Sequence, residues 1–263
     1  MSEIIIRDLC KSYPNRRKHK RNTKDHDPNT PIVVLDHINI NIAPGHMTCI
    51  LGPSGCGKST LLMIVAGFDQ ATSGEVLIDG KPVNGPTSDN IFVFQQGGLL
   101  PWMTVAQNVE LGLRHMQNKE EKRDKIEEAI GLVDLSGFED HYPGQLSGGM
   151  KRRAELARAL VVNPKLLIMD EPFSGLDFLT HLRMREEVVN MHELIRKTTL
   201  LVTHDIDDAI AMGDHLIILT DRPSKVKMEH IIEPGHPRNY EKDKEIAELR
   251  EEIFFMLGVH YAV

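Results

Sequence analysis

The chain lacks any stretch long enough to cross a bilayer. Its densest apolar runs, such as Leu166–Met169 and Leu216–Leu219, are strand-sized, against the roughly 18 consecutive apolar residues that a spanning helix needs. Its start, Met1 to Asp8, has no basic region leading into a long apolar stretch and a small-residue cleavage site, so export is not expected and a cytoplasmic location is. Cysteine is scarce: Cys10, Cys49 and Cys56 are an odd number without metal-like spacing, which points to reduced thiols rather than a disulfide framework. Positive charge is in deficit, with 31 Lys plus Arg against 38 Asp plus Glu and a net charge of -7. A general nucleic-acid partner is therefore not expected. Internal repeats and low-complexity tracts are also missing.

What is present fits a folded globular protein of one large domain or two modest ones: 263 residues, 41% hydrophobic and 26% charged. Short Val/Ile/Leu-rich runs alternate with longer amphipathic stretches, which predicts an α/β fold with parallel strands buried beneath helices on both faces. The predicted strands are 3–8, 33–42, 47–51, 74–78, 90–94, 166–170, 198–203 and 215–220. From Val105 to Ala159 helical patterns take over, with Ile126, Ala129, Ile130 and Val133 on one face, which predicts an inserted helical subdomain. After Asp221-Arg222-Pro223 the chain reads as irregular until a helix at 241–257, where Ile246, Leu249, Ile253 and Leu257 recur at helical spacing. The basic segment 16–28 reads as a loop; a solvated insertion is favoured over contact with anionic lipid or nucleic acid, because acidic residues follow at once.

Gly52-Pro53-Ser54-Gly55-Cys56-Gly57-Lys58-Ser59-Thr60 holds the G-x-x-x-x-G-K-[ST] spacing between an apolar strand and a helix. Glycines let backbone N–H groups turn inward around a polyphosphate, and the helix N-terminus adds a favourable dipole. Lys58 is suited to the outer phosphates, Ser59 to Mg²⁺ and Thr60 to an inner phosphate. Cys56 reads as a small loop residue, with a thiol activated by the cationic loop as the less favoured reading. The run Leu166-Leu167-Ile168-Met169 ends in Asp170 and Glu171; Asp170 suits the magnesium shell, and Glu171 the base or orienting acceptor for a water attacking the terminal phosphate. His204 and Gln95 close two further strands, where open α/β sheets place their ligands. His204 is a candidate for the transferring phosphate and Gln95 for magnesium or the lytic water.

Leu146-Ser147-Gly148-Gly149-Met150 opens a helix, a second anion-seeking turn with a hydroxyl, open backbone donors and a dipole. With the preceding motifs it resembles the signature of ATP-binding-cassette ATPases. The resemblance covers nearly the whole chain. It implies a P-loop NTPase (RecA-like) core, an antiparallel β subdomain and an inserted helical subdomain, organised as core at about 1–95 and 160–225, helical subdomain at 96–159 and C-terminal extension at 226–263. It also implies ATP and Mg²⁺ and a head-to-tail homodimer in which the signature of one subunit covers ATP held by the other. Residue by residue, Tyr13 matches the aromatic that stacks on adenine, Gln95 the loop glutamine, Asp170 the magnesium carboxylate, Glu171 the base and His204 the switch histidine. Ser174-Gly175-Leu176-Asp177 matches the loop joining the two sites.

In that family the helical insert docks on membrane permeases. Leu99 and Leu100 read as packing residues and Trp102 as a docking residue. The stretches 99–105, 170–177, 184–187, 203–209 and 219–223 are similar to those of ATPases of nitrate, sulfonate and taurine importers. Two permease subunits and an external solute-binding protein are then implied, with the ATPase peripheral on the inner face of the membrane. Lys151-Arg152-Arg153-Ala154-Glu155 departs from the usual continuation and resembles the lipid-trafficking branch. A soluble phosphotransferase leaves the signature helix unused, and DNA-repair or translation relatives carry coiled coils or tandem cassettes absent from this sequence.

Overall fold

The computed structural model describes residues 1–15, 30–95, 97–233, 235–238 and 242–258; the basic segment 16–28 lies outside them. Strands β1 (Ile4–Tyr13) and β2 (Ile32–Ile42) pair antiparallel and lead into β3 (Met47–Leu51), helix α1 (Lys58–Val65), β4 (Ser73–Ile78), β5 (Lys81–Pro82) and β6 (Asn90–Val93). Three helices follow, α2 (Val105–Glu110), α3 (Lys119–Leu132) and α4 (Gly148–Leu160). The chain then alternates through β7 (Leu166–Asp170), α5 (Phe178–Ile195), β8 (Thr198–Val202), α6 (Ile206–Met212) and β9 (His215–Leu219), and closes with β10 (Val226–Ile231) and α7 (Lys244–Met256).

Two sheets result. One has four strands in the order β2-β1-β4-β5, and the other six in the order β10-β9-β3-β8-β7-β6. Strands β3, β7, β8 and β9 are buried at every residue, as continuous apolar runs in a covered parallel sheet must be. Alternate side chains divide the core. Ile50, Ile168, Leu200 and Ile217 pack with α1 and the four-stranded sheet, whereas Cys49, Leu167, Leu201 and Leu216 pack in the cluster that includes Ala157 of α4, Val188 of α5 and Ile253 of α7. Helices thus lie on both faces as expected, and on one of them α1 is joined by the antiparallel sheet.

Three further expectations are adjusted. The first strand continues to Tyr13, past a bulge at Asp8, whose φ is +50°. The stretch after Pro223 is not irregular, because 226–231 returns as β10 antiparallel to β9. The C-terminal helix begins at Lys244, capped by the Asp243 side chain, and buries Ile246, Leu249 and Ile253 as its periodicity predicts. Ala129, Ile130 and Val133 are buried in the helical insert, with Ile126 packed beside them. Among the described residues no helix is long and apolar enough to cross a membrane.

Candidate active site

The phosphate-type loop leaves the centre of the six-stranded sheet. β3, flanked by β8 and β9, delivers Gly52, and α1 starts at Lys58. Gly57 has φ +123°, and a Cβ there would lie 2.7 Å from Val34 Cγ1, so only glycine fits beneath β2. The loop is pinned from below by the Ser224 hydroxyl, which donates to the Cys56 carbonyl at 2.6 Å. Cys56 itself is buried in the core. The Lys58 ammonium is folded into the loop, donating to the carbonyls of Gly52 at 2.7 Å and Pro53 at 3.1 Å. A bound phosphate would compete for those donors.

Carboxyl ends of three adjacent parallel strands complete the site. Asp170 ends β7, and burial pushes its carboxyl up; a hydrogen bond with Ser59 works against this, and the neighbouring Glu171 charge adds to it. Glu171 follows with φ +44°, held there by its N–H donating to Val202 O at 2.9 Å. Its Oε2 accepts from Gln95 Nε2 at 2.9 Å and lies 3.3 Å from His204 Nδ1. Gln95 also donates to Ser174 Oγ at 3.3 Å. The structure therefore brings together Gln95 beyond β6, Glu171 beyond β7 and His204 beyond β8, because those strands are neighbours in the sheet.

Tyr13 ends β1 with its hydroxyl donating to Asp69 Oδ2 at 2.6 Å and its ring under Lys11 Nζ, 4.7 Å from the centroid. Burial raises its hydroxyl pKa, Asp69 adds to the rise, and the Thr60 hydroxyl of the phosphate loop opposes it. That contact places the ring at the loop's rim.

The signature turn lies apart from this cluster. Ser147 caps α4 by accepting from Met150 N at 3.2 Å; Leu146 and Gly149 are buried, while Ser147 and Gly148 are exposed. A Cβ at Gly149 would meet Thr180 Cγ2 at 2.7 Å, and one at Gly148 would meet Leu176 at 3.3 Å. The turn is thus seated on the segment Ser174, Gly175, Leu176 and Asp177, whose last residue caps α5 by accepting from Thr180 N. Trp102 is 69% exposed at a cleft of about 440 Å³ shared with Met103, Gln107, Leu111 and Arg114, and Leu99 packs inward.

Sequence reasoning missed two sets of residues around the site. Asp208, buried on α6, holds His181 of α5 at 2.7 Å and Arg185 at 3.5 Å. Arg152, Glu155 and Arg158 of α4 hold the backbone on either side of Gln95. The charges at 152–158 were visible, but one sequence does not reveal that they face inward.

Residues 35–174 match the family described as ABC transporter. The chain is 39% identical over 243 residues to a nitrate import ATP-binding protein of Synechococcus elongatus, spanning 89% of this chain and 88% of the relative. It is 40% identical to an aliphatic sulfonates import ATP-binding protein of Bacillus cereus, over 84% of this chain and 87% of that one. Among solved structures, it superposes on a dimeric post-hydrolysis state of an ATP-binding cassette bound to ADP and phosphate, with a TM-score of 0.71 and 33% identity, covering 88% of this chain and all of the other.

Proposed function

Because the chain belongs to the ABC transporter family and is one of its ATPases, we propose that it is the energy-coupling subunit of an importer. The observation that carries the chemistry is the shared Glu171 Oε2, held by Gln95 and beside His204 at the rim of the phosphate loop. ATP lies with its phosphates in Gly52–Thr60 and its adenine against Tyr13. Ser59 and Asp170 fit a hard divalent cation, being a hydroxyl and a buried carboxylate already in hydrogen-bond contact; Gln95, whose amide nitrogen is engaged by Glu171, would offer its side-chain oxygen to the same cation. Mg²⁺ there would offset charge developing on the phosphate oxygens.

Glu171 accepts a proton from the attacking water as its oxygen bonds to the terminal phosphorus and the bond to the ADP oxygen breaks. His204, largely exposed, donates to the transferring group, and Gln95 orients the water. Lys58 leaves its loop carbonyls for the outer phosphates.

Ser147, Gly148 and Gly149 offer an exposed hydroxyl and backbone donors at the start of α4, which suits them to the ATP of a second copy in a head-to-tail homodimer. Ser174–Asp177, seated between signature and Glu171, joins the two sites. In domain terms, 1–95 with 160–225 form the nucleotide-binding core, 96–159 the helical subdomain and 226–263 the C-terminal extension. The Trp102 cleft of each copy receives a short helix of one of two permease subunits, which hold the ATPase on the inner face of the membrane; an external solute-binding protein supplies the cargo. The nitrate and sulfonate relatives favour a small oxyanion such as nitrate, a sulfonate or taurine.

Affinity capture of the tagged chain from gently solubilised native membranes, with mass-spectrometric identification, tests this reading. Recovery of a polytopic permease and an oxyanion-binding external protein is expected. Recovery of a lipid-trafficking permease would overturn the cargo, and absence of any membrane partner would overturn the importer.

A further inference from the structure

The segment that carries Gln95 is fastened to α4 through side chains that the chemistry above does not use. Arg152 is 6% exposed and Glu155 5%. Arg152 Nη1 donates to Phe94 O at 2.8 Å and also to Glu155 Oε2. Glu155 Oε1 accepts from Gly98 N at 2.8 Å, and Arg158 Nη1 donates to Gly98 O at 2.6 Å. The fit is close: a Cβ at Gly97 would lie 2.9 Å from Glu155 Oε1, and one at Gly98 would lie 2.8 Å from Arg158 Nη2. Backbone groups just before and just after Gln95 thus find their partners on one helix.

A buried ion pair adds little net stability, because desolvating both charges offsets their attraction. What it supplies is direction. An apolar contact of the same area would let the loop slide, whereas three hydrogen bonds to backbone groups fix its register on α4. The same helix carries Ser147 at its N-terminus, about 7 to 8 Å along the axis from Arg152 at the helical rise. The segment around Gln95 and the turn at Ser147 are thus both attached to α4.

We propose that Arg152 and Glu155, with Arg158, are positioning residues that make the Gln95 segment and the signature turn move as one unit, so that occupancy of the chain's own ATP site is delivered to the signature turn offered to a partner's ATP. The proposal rests on the reading that Gln95 responds to bound nucleotide. None of the three residues touches the reacting atoms in this arrangement.

The test is backbone hydrogen exchange of the full chain with and without ATP and Mg²⁺, followed by mass spectrometry in peptides covering 94–98 and 147–151. Protein concentrations are kept low enough that light scattering reports a monomer. In the native sequence, nucleotide is expected to slow exchange at least threefold in both peptides. The double variant Arg152→Gln with Glu155→Gln removes both charges while keeping the volumes near their original values. It should retain ATP affinity within threefold and the response at 94–98, and lose the response at 147–151. If that variant does not fold, Arg158→Met, at a partly exposed position, removes one hydrogen bond and should at least halve the response at 147–151.

An unaltered response at 147–151 in the folded variants, or no response there in the native sequence, overturns the proposal. Failure of the homodimer reading is seen separately, as the absence of ATP-driven mass doubling at high concentration, and leaves this intrachain response in place.

Discussion

Replacing Glu171 by Gln tests the chemistry most directly, because the fold should barely register the change. The Glu171 backbone is held by Val202 O and by its own carbonyl accepting from Ser174 N at 3.2 Å, and neither contact involves the side chain. An amide oxygen in the carboxylate's place still accepts from Gln95. The lost attraction to His204 faces a side chain that is 62% exposed, so it is screened and worth under about 1 kcal/mol. The midpoint of thermal unfolding should stay within about 3 °C. Hydrolysis should not stay: loss of a positioned general base costs about 10²–10⁴-fold, which is about 2.7–5.4 kcal/mol of barrier. Removing a negative charge from beside the phosphates leaves ATP affinity equal or tighter. The assay is phosphate release at saturating ATP and Mg²⁺, with nucleotide affinity by calorimetry and mass by light scattering; slow turnover, retained binding and ATP-dependent doubling of mass are expected. Phosphate release within threefold of the native rate would remove Glu171 from the role of base.

Tyr13→Ala should raise the ATP dissociation constant about 5- to 100-fold through loss of base stacking, while Tyr13→Phe stays within about threefold; equal affinities for all three forms would move adenine elsewhere. Thr198 is fully buried, and its hydroxyl accepts from Ser2 N and Gly45 N and donates to Ser2 O at 2.8–3.0 Å. Thr198→Val orphans those groups and should cost about 2–4 kcal/mol, read by denaturant unfolding, and a cost below about 0.5 kcal/mol would refute the bonding. Burial lowers the pKa of His192, whose Nε2 lies 2.9 Å from Lys197 O. The folded state then binds fewer protons than the unfolded one, so this group's contribution is present above about pH 6.5 and is lost as pH falls below it, by at most about 1.4 kcal/mol per pH unit. His192→Gln should flatten that slope in unfolding measurements from pH 7 to 5; an unchanged slope would assign it to other groups.

Legibility tracked the environment of each element. β7 and β8 could be read as unbroken apolar runs because both their faces are covered. β10 could not: Val226-Lys227-Met228-Glu229-His230-Ile231 alternates in exposure at the sheet edge, with charges on the open face, and only pairing with β9 reveals it. The first strand was cut short at Asp8, where the bulge breaks the period-two pattern that would have carried it to Tyr13. Within the site, Lys58, Asp170 and Glu171 were legible from motif and flanks. The grip of Arg152 and Glu155 on Phe94 and Gly98 was not, since it joins positions 57 and 58 residues apart and a lone charged residue on a helix ordinarily faces solvent.

The place of β3 between β8 and β9 sets the order in which this protein can become competent during synthesis. The strand that ends in the phosphate loop emerges from the ribosome early, yet both of its hydrogen-bonded neighbours lie beyond residue 197. At ordinary elongation rates of about 5–20 residues per second, roughly 8–30 s separate its emergence from theirs. For that interval Met47–Leu51 is an apolar segment with two open edges. A chain stopped before Thr198 would carry the whole phosphate-binding motif without either of the strands that hold β3 in place, which makes such a fragment a client of chaperones rather than a binder of ATP.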